Sequence, residues 1–285
     1  ISTLLSERLA TNGKILSCLF AAVLLMNSAI AHAFDHQHSI FTQVLSDVVR
    51  LSPNKKQTRV DYALLNKQPE KLNQYLNALS SVKQSDYQLW TGDEQLSFLI
   101  NAYNGFTLQL IHHNYAKFQS GKVESIKDLG SFFSSPWKKT FFTLLDDKHS
   151  LDDIEHNMIR IWFERPRIHT ALVCAAVSCP PLRNEAFVAD KLDQQLDDQM
   201  RQFLSDDQRN TINLRDNRVK LSAIFKWYGE DFEKGQQGFN SLNDLIKAYQ
   251  TDIADDPQQL TWLQNRNYRI SFLDYDWRLN DISTF

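Results

Sequence analysis

The stretch DEQLSFLINAYNGFTLQLIHH, residues 93–113, constrains the fold more than any other part of this 285-residue chain. Leu96, Leu99, Tyr103, Phe106 and Leu110 recur at three and four residues, the helical period. Phe98, Ile100, Ala102 and Ile111 add apolar groups on the other faces. A helix that is apolar all round must be enclosed by protein. One narrow polar stripe interrupts it: Ser97, Asn101 and Asn104, spaced four and three. Buried amides must find partners. They belong either to a satisfied structural network or to the wall of an active site, where an amide can steady an oxyanion.

The rest of the chain reads as a mixture around that helix. Residues 40–51 and 69–80 carry modest amphipathic helical patterns, and 119–137 reads as irregular. KTFFTLLDDKHSL (139–151) reads as a strand, a tight turn and a short return. Ser150 and Asp153 have the spacing of a capping box for the helix LDDIEHNMIRIWF, which ends before Pro166. Residues 167–174 read as a buried strand, and EAFVADKLDQQLDDQMRQFL (185–204) as a helix. NTINLRDNRVKLS (210–222) is a hairpin turning at Asp216-Asn217, and YRISFLDYDW (268–277) a late strand. The fold class is therefore α+β, mainly helical, with a small and mostly antiparallel sheet.

Residues 14–33, KILSCLFAAVLLMNSAIAHA, have the order of a secretory signal: a lysine, an apolar run, then Ala31-His32-Ala33. The run Ile15–Met26 is short for a bilayer core of ~30 Å, so cleavage after Ala33 is expected rather than a membrane anchor. The expected division is a signal peptide over 1–33 and a single globular domain over 34–285. The expected location is periplasmic or secreted, with no stable membrane insertion after cleavage. The chain has 31 basic and 34 acidic side chains and no basic run, which argues against a nucleic-acid partner.

The chemistry-bearing residues concentrate in two places. Glu155 falls inside the apolar face set by Leu151, Ile154, Met158, Ile161 and Trp162, whereas His156 lies well off it. A carboxylate aimed at a core needs a partner. That partner is either an arginine such as Arg167, in a structural ion pair, or an imidazole that it orients for acid–base work. The second place is PRIHTALVCAAVSCPPL, residues 166–182. Cys174 and Cys179 have the wrong spacing for a zinc knuckle, and no HExxH is present, so no metal is expected and no other cofactor. A disulfide needs Cα atoms within ~7 Å, whereas five extended steps cover roughly 16 Å. The chain would have to reverse between them without a glycine. A redox pair is disfavoured by the same four-residue gap. A nucleophilic thiol needs a base in reach. On a strand, His169 and Cys174 would face opposite ways, and Cys179, in the loop before Pro180-Pro181, would be the more exposed thiol. Two inert core thiols remain the simplest alternative.

FLINAYNGFTLQLI, SLDDIEHNMIR, PRIHTALVCAAVSCPPL, LSAIFKWYGEDF and YDWRLN occur in the order of the domain-of-unknown-function 547 family, which the chain resembles over roughly residues 90–280. The resemblance singles out Asn101, Tyr103, Asn104, Glu155, His156, His169, Cys174, Ser178 and Pro180. It puts Cys174 forward at the expense of Cys179, so the choice between them stays open. Ala175 stands where many members have glycine. The resemblance also implies a rearranged papain- or transglutaminase-like core. On that basis the expected activity is a thiol hydrolase or acyltransferase acting on amide bonds of a peptide or small-molecule substrate. Cys174 or Cys179 would attack, His156 or His169 would take the proton, Glu155 would orient the imidazole, and Asn101 would hold the oxyanion. Tyr103, Asn104 and Ser178 would contact substrate. The alternative is a non-catalytic binding or scaffold domain whose polar motifs are buried networks.

Overall fold

The long apolar helix organises the structure, a computed structural model that describes residues 34–131, 134–265 and 267–285. The signal segment expected over 1–33 lies outside the described residues. The central helix, α5, spans Gly92–Gln119, and Thr91 and Glu94 close a reciprocal capping box at its start. Its burial runs without a break from Leu96 to Leu108, as its all-round apolar character requires. Gly105 sits at a close crossing. A Cβ there would meet the Leu76 side chain at 3.0 Å, so the glycine lets a neighbouring helix approach closely.

That neighbour is α3, Glu70–Ser81, which together with α1 (Ser39–Val48) and α2 (Tyr62–Lys67) encloses one side of α5. The first expected helix stops at Val48, earlier than its periodicity indicated. Val49–Leu51 instead forms strand β1, paired antiparallel with β2, Thr58–Val60. Strands β3 (Phe142–Leu144) and β4 (Asp147–His149) form the expected short hairpin. Its turn places Leu145 and Asp146 at φ 51° and 69°, the left-handed pair that a two-residue hairpin turn demands.

A second apolar cluster gathers α7 (Leu192–Leu204), the hairpin β5 (Thr211–Asn213) and β6 (Arg218–Leu221), and the helices that follow. Strand β7, Arg269–Phe272, joins β6 in parallel; the other named pairings are antiparallel. The class is α+β and mainly helical with small, mostly antiparallel sheets. Residues Asp35–Phe285 make one compact unit. Among the described residues, no helix is long and apolar enough to cross a membrane.

Two expected elements take other forms, for one physical reason. Residues 167–174 are not a strand: Pro166–Thr170 is a 3-10 turn, and the following backbone runs against a side chain rather than a ladder. Asn104 Nδ2 donates to Ala171 O at 2.9 Å, and Val173 N donates to Asn104 Oδ1 at 3.0 Å. The helix expected from 185 starts only at Leu192, because Asn101 captures both backbone groups of Phe187 in the same way, at 2.7 and 3.0 Å.

The segment after β7 ties distant parts together. Val60 N donates to Asn280 O, Leu279 N to Glu124 O, Asn280 N to Ala175 O, and Val177 N to Arg278 O, all at 2.8–3.0 Å. Residues 275–281 thereby fix the turn that carries the two cysteines.

Candidate active site

Ser150 and Asp153 cap each other as their spacing indicated, with Ser150 N to Asp153 Oδ2 at 2.9 Å and Asp153 N to Ser150 Oγ at 3.1 Å. The turn that follows is wider than an α-helix. Residues Asp153–Ile159 are π-helical and pass into α6, Arg160–Trp162. Widening changes which side chains share a face, and π segments recur at functional sites. Glu155 is buried, as its place in the apolar face indicated, yet His156, expected well off that face, lines the same cleft. Ile161 and Trp162, counted as core by α-helical spacing, are turned out to solvent.

Glu155 is held by a phenol rather than a guanidinium: Tyr228 Oη donates to Oε1 at 2.6 Å. Arg167, the partner considered from sequence, is bound instead to Asp193 and Asp197. Tyr103 of α5 also sits against Glu155; burial first, and then that carboxylate, pushes its hydroxyl well above the ordinary tyrosine value. Tyr228 is raised by the same two causes.

His169 stacks on Tyr228 with ring centroids 3.9 Å apart, and its Nε2 lies 2.8 Å from Asp231 Oδ2. Arg160 Nε donates to the same oxygen at 2.7 Å, and Lys234 reaches Oδ1 at 2.8 Å. Burial pushes Asp231 upward, but the hydrogen bonds from His169, Arg160 and Lys234 outweigh it and hold the carboxyl well below its usual range. Burial pushes His169 below the ordinary imidazole value, against the pull of Asp231. The carboxylate that orients His169 is thus Asp231. His156 is tied separately, its Nδ1 3.0 Å from Arg160 Nη1 and its Nε2 3.8 Å from Asp152.

Cys174 and Cys179 are joined as a disulfide with Cα atoms 6.2 Å apart. The absence of glycine does not prevent the reversal. Ala175 adopts φ 61°, Cys179 N closes onto Ala176 O at 3.0 Å, and the 275–281 segment holds the turn from outside. An alanine in the left-handed region costs about 1–2 kcal/mol relative to its preferred conformation. The exposure expected from local reasoning is reversed: Cys174 is half-buried, while Cys179 is buried. The Cys179 sulfur also collects donors. The N–H groups of Cys174 and Ala176 approach it at 3.0 and 3.4 Å, and Tyr275 Oη lies 3.2 Å from both sulfurs. Because 167–174 is not a strand, the alternation that set His169 and Cys174 on opposite faces does not apply, and both line one cleft.

That cleft, of about 230 Å³, brings together Tyr103, Glu155, His156, His169, Cys174 and Cys179. It does not include Asn101, Asn104 or Ser178. Both asparagines are buried against backbone, and Ser178 binds the last segment through Asp276 N to Ser178 Oγ at 2.9 Å. The sequence reading missed Asp231, Tyr228, Tyr275 and three tryptophans, Trp137, Trp227 and Trp277, which line or support the same space. The motifs LSAIFKWYGEDF and YDWRLN contain most of them, and their density of aromatic residues is the one local signal. Among the described residues, no group of three or more His, Cys, Asp or Glu is arranged to hold a metal ion.

Residues 87–204 match the model of a family described as protein of unknown function, DUF547. No curated protein and no solved structure matches the chain.

Proposed function

We propose that the cleft carries out thiol-dependent acyl transfer, hydrolysing or exchanging an amide or ester bond. The observation that carries this reading is the convergence of Glu155, His156, His169 and both sulfurs, drawn from separate segments, into one cleft. In the disulfide neither sulfur can attack. Two molecules of a small thiol, or one dithiol protein, must first reduce it, becoming a disulfide and leaving two thiols on this chain. The freed thiolate then adds to the carbonyl carbon, and the leaving amine or alcohol departs with a proton to give a thioester. Water hydrolyses the thioester, or another nucleophile displaces it. His169 suits the proton relay. With its Nε2 proton donated to Asp231, Nδ1 is the acceptor nitrogen, and a neutral ring is favoured by burial. The three donors on the Cys179 sulfur would stabilise a thiolate there. A disulfide also fits work in an oxidising compartment, periplasmic or extracellular.

A second reading, a non-catalytic scaffold domain, draws on the same disulfide and on the two asparagines bound to backbone. One experiment separates the two. After mild reduction, iodoacetamide is applied between pH 6 and 8 and each cysteine followed by mass spectrometry, alongside hydrolysis of an activated ester by the wild type, Cys174→Ser and Cys179→Ser. Acyl transfer expects one cysteine to alkylate at least about tenfold faster than a model thiol near pH 6, with hydrolysis lost when that cysteine is replaced. Slow, equal alkylation with no ester turnover leaves the scaffold reading standing alone.

A further inference from the structure

The acyl-transfer reading accounts for the sulfurs and His169, but gives no task to the carboxylates or to the aromatic wall of the cleft. Trp277 lies at its centre. Tyr275 packs on it at 4.5 Å between centroids, Trp227 at 5.6 Å and Trp137 at 5.8 Å, with interplanar angles of 51°, 24° and 66°. Such differently tilted rings present more than one π face to the space they share. Trp227 is 47% exposed, so part of this aromatic cluster is open to solvent.

The charged groups of the cleft have one sign. Asp152 and Glu155 line it, and among the described residues no lysine or arginine does. Arg160, the guanidinium tied to His156, is committed to Asp231. A carboxylate or phosphate ligand would therefore meet two like charges, while the nearby cations Lys127 and Arg160 are set against the Trp277 and Tyr228 rings and do not themselves line the cleft. A neutral apolar ligand would satisfy the rings and leave the carboxylates without use. A cation satisfies both, since ring faces attract positive charge and a carboxylate accepts its N–H donors. The protein itself shows the affinity of this wall for an ammonium: Lys127 Nζ sits over Trp277, 4.8 Å from the ring centroid.

We infer that the cleft binds an alkylammonium group, its methylene stem on Trp227 and Trp277 and its charge beside Glu155 and Asp152. The small volume admits one side chain rather than a whole folded partner. The group is either a lysine-like side chain of a peptide or a free diamine. Resting on the acyl-transfer reading, the further consequence is that the bond attacked lies within a side chain's length of that cation.

Binding is tested on the full chain in its disulfide form, where no acyl chemistry can occur, so its outcome is independent of whether the protein is an enzyme. Isothermal titration is carried out with butylammonium, butanol, pentanoate, N-acetylglucosamine, 1,5-diaminopentane and Nα-acetyl-lysine methylamide. The expected result is butylammonium binding about tenfold tighter than butanol, with pentanoate and the sugar not binding. Preference for the lysine derivative over the diamine assigns a peptide source, and the reverse assigns a free diamine. Trp227→Ala and Glu155→Gln are each expected to weaken butylammonium about five- to tenfold. Trp227 is half exposed and Gln is isosteric with Glu, and retained melting temperatures would show that both variants are folded. Equal binding of butylammonium and butanol, saturable binding of the sugar, no detectable ammonium binding, or unchanged affinity in both folded variants overturns the proposal.

Discussion

Two polar stretches on apolar helices, the asparagine stripe of α5 and the Glu155-His156 pair of the π-helical segment, look alike in the sequence and serve opposite ends in the structure. Asn101 and Asn104 each spend an N–H and an oxygen on the backbone of one distant loop. Gln195 holds Ala186 and Val188 in the same manner, and Asn210 holds Phe203 and Ser222. Asn101, Asn104 and Gln195 thereby pair the backbone of loops that form no ladder, and Asn210 joins the end of α7 to the residue after β6. Glu155 and His156 are bound only to other side chains and face an open space. A polar group bound to backbone fixes the fold, whereas one bound to side chains beside a cleft remains available for chemistry.

Replacing Asn104 by Ala tests the first half of that contrast and carries the largest expected effect on stability. It strands Ala171 O and Val173 N in the interior, at a cost of about 3 kcal/mol, or roughly 6–12 °C in melting temperature. Glu155→Gln keeps an oxygen for Tyr228 and is expected to cost less than about 1 kcal/mol. A large melting shift for Glu155→Gln and none for Asn104→Ala would invert the comparison. Next in size, reducing the disulfide opens only a short loop. It is expected to lower stability by about 2 kcal/mol in denaturant titrations while releasing the reactive thiol. A loss of folded structure on reduction would make the bridge a staple and not a latch.

The His169–Asp231 pair gives a smaller, pH-dependent effect. His169 is held below its unfolded value, so its neutral form contributes stability above about pH 6.5, and that contribution declines as acid protonates the unfolded ring. Asp231 is likewise depressed, so its contribution is present above about pH 3.9 and is lost as pH falls further toward the native value. Melting temperature should therefore fall on acidification in two stages, and His169→Gln should reduce the first, the remainder coming from His38, whose imidazole pKa burial lowers to about 3. An unchanged upper stage in that variant would show that other groups produce it. The smallest effect belongs to Ala175→Gly. Relief of the left-handed alanine is partly offset by the entropy of glycine, for a net gain below about 1 kcal/mol. A destabilised variant would mean that the methyl group packs usefully.

How much was legible follows the range of the interactions. The period of residues 96–110, the Ser150–Asp153 cap and the β3–β4 turn are local, and each took its expected form. Residues 166–174 and 185–191 departed from expectation because Asn104 and Asn101, some seventy to ninety residues away, decide their backbone. At the site, Glu155, the histidines and the cysteines were visible as residue types that need partners. The partners were not visible: Tyr228, Asp231 and Tyr275 reach them only through the tertiary fold, and the π-helical widening that admits His156 has no sequence period of its own.

The threading of residues 275–281 through the cysteine turn bears on where a working piece of this protein can be cut. The family match ends at Leu204, yet Trp227, Tyr228, Asp231, Tyr275 and Trp277 all come later. A fragment trimmed to the matched boundaries would keep both sulfurs and both imidazoles. It would lose the carboxylate behind His169, the phenol on Glu155 and the backbone partners of Ala175 and Val177. Such a fragment would be a set of reacting groups without the frame that aims them.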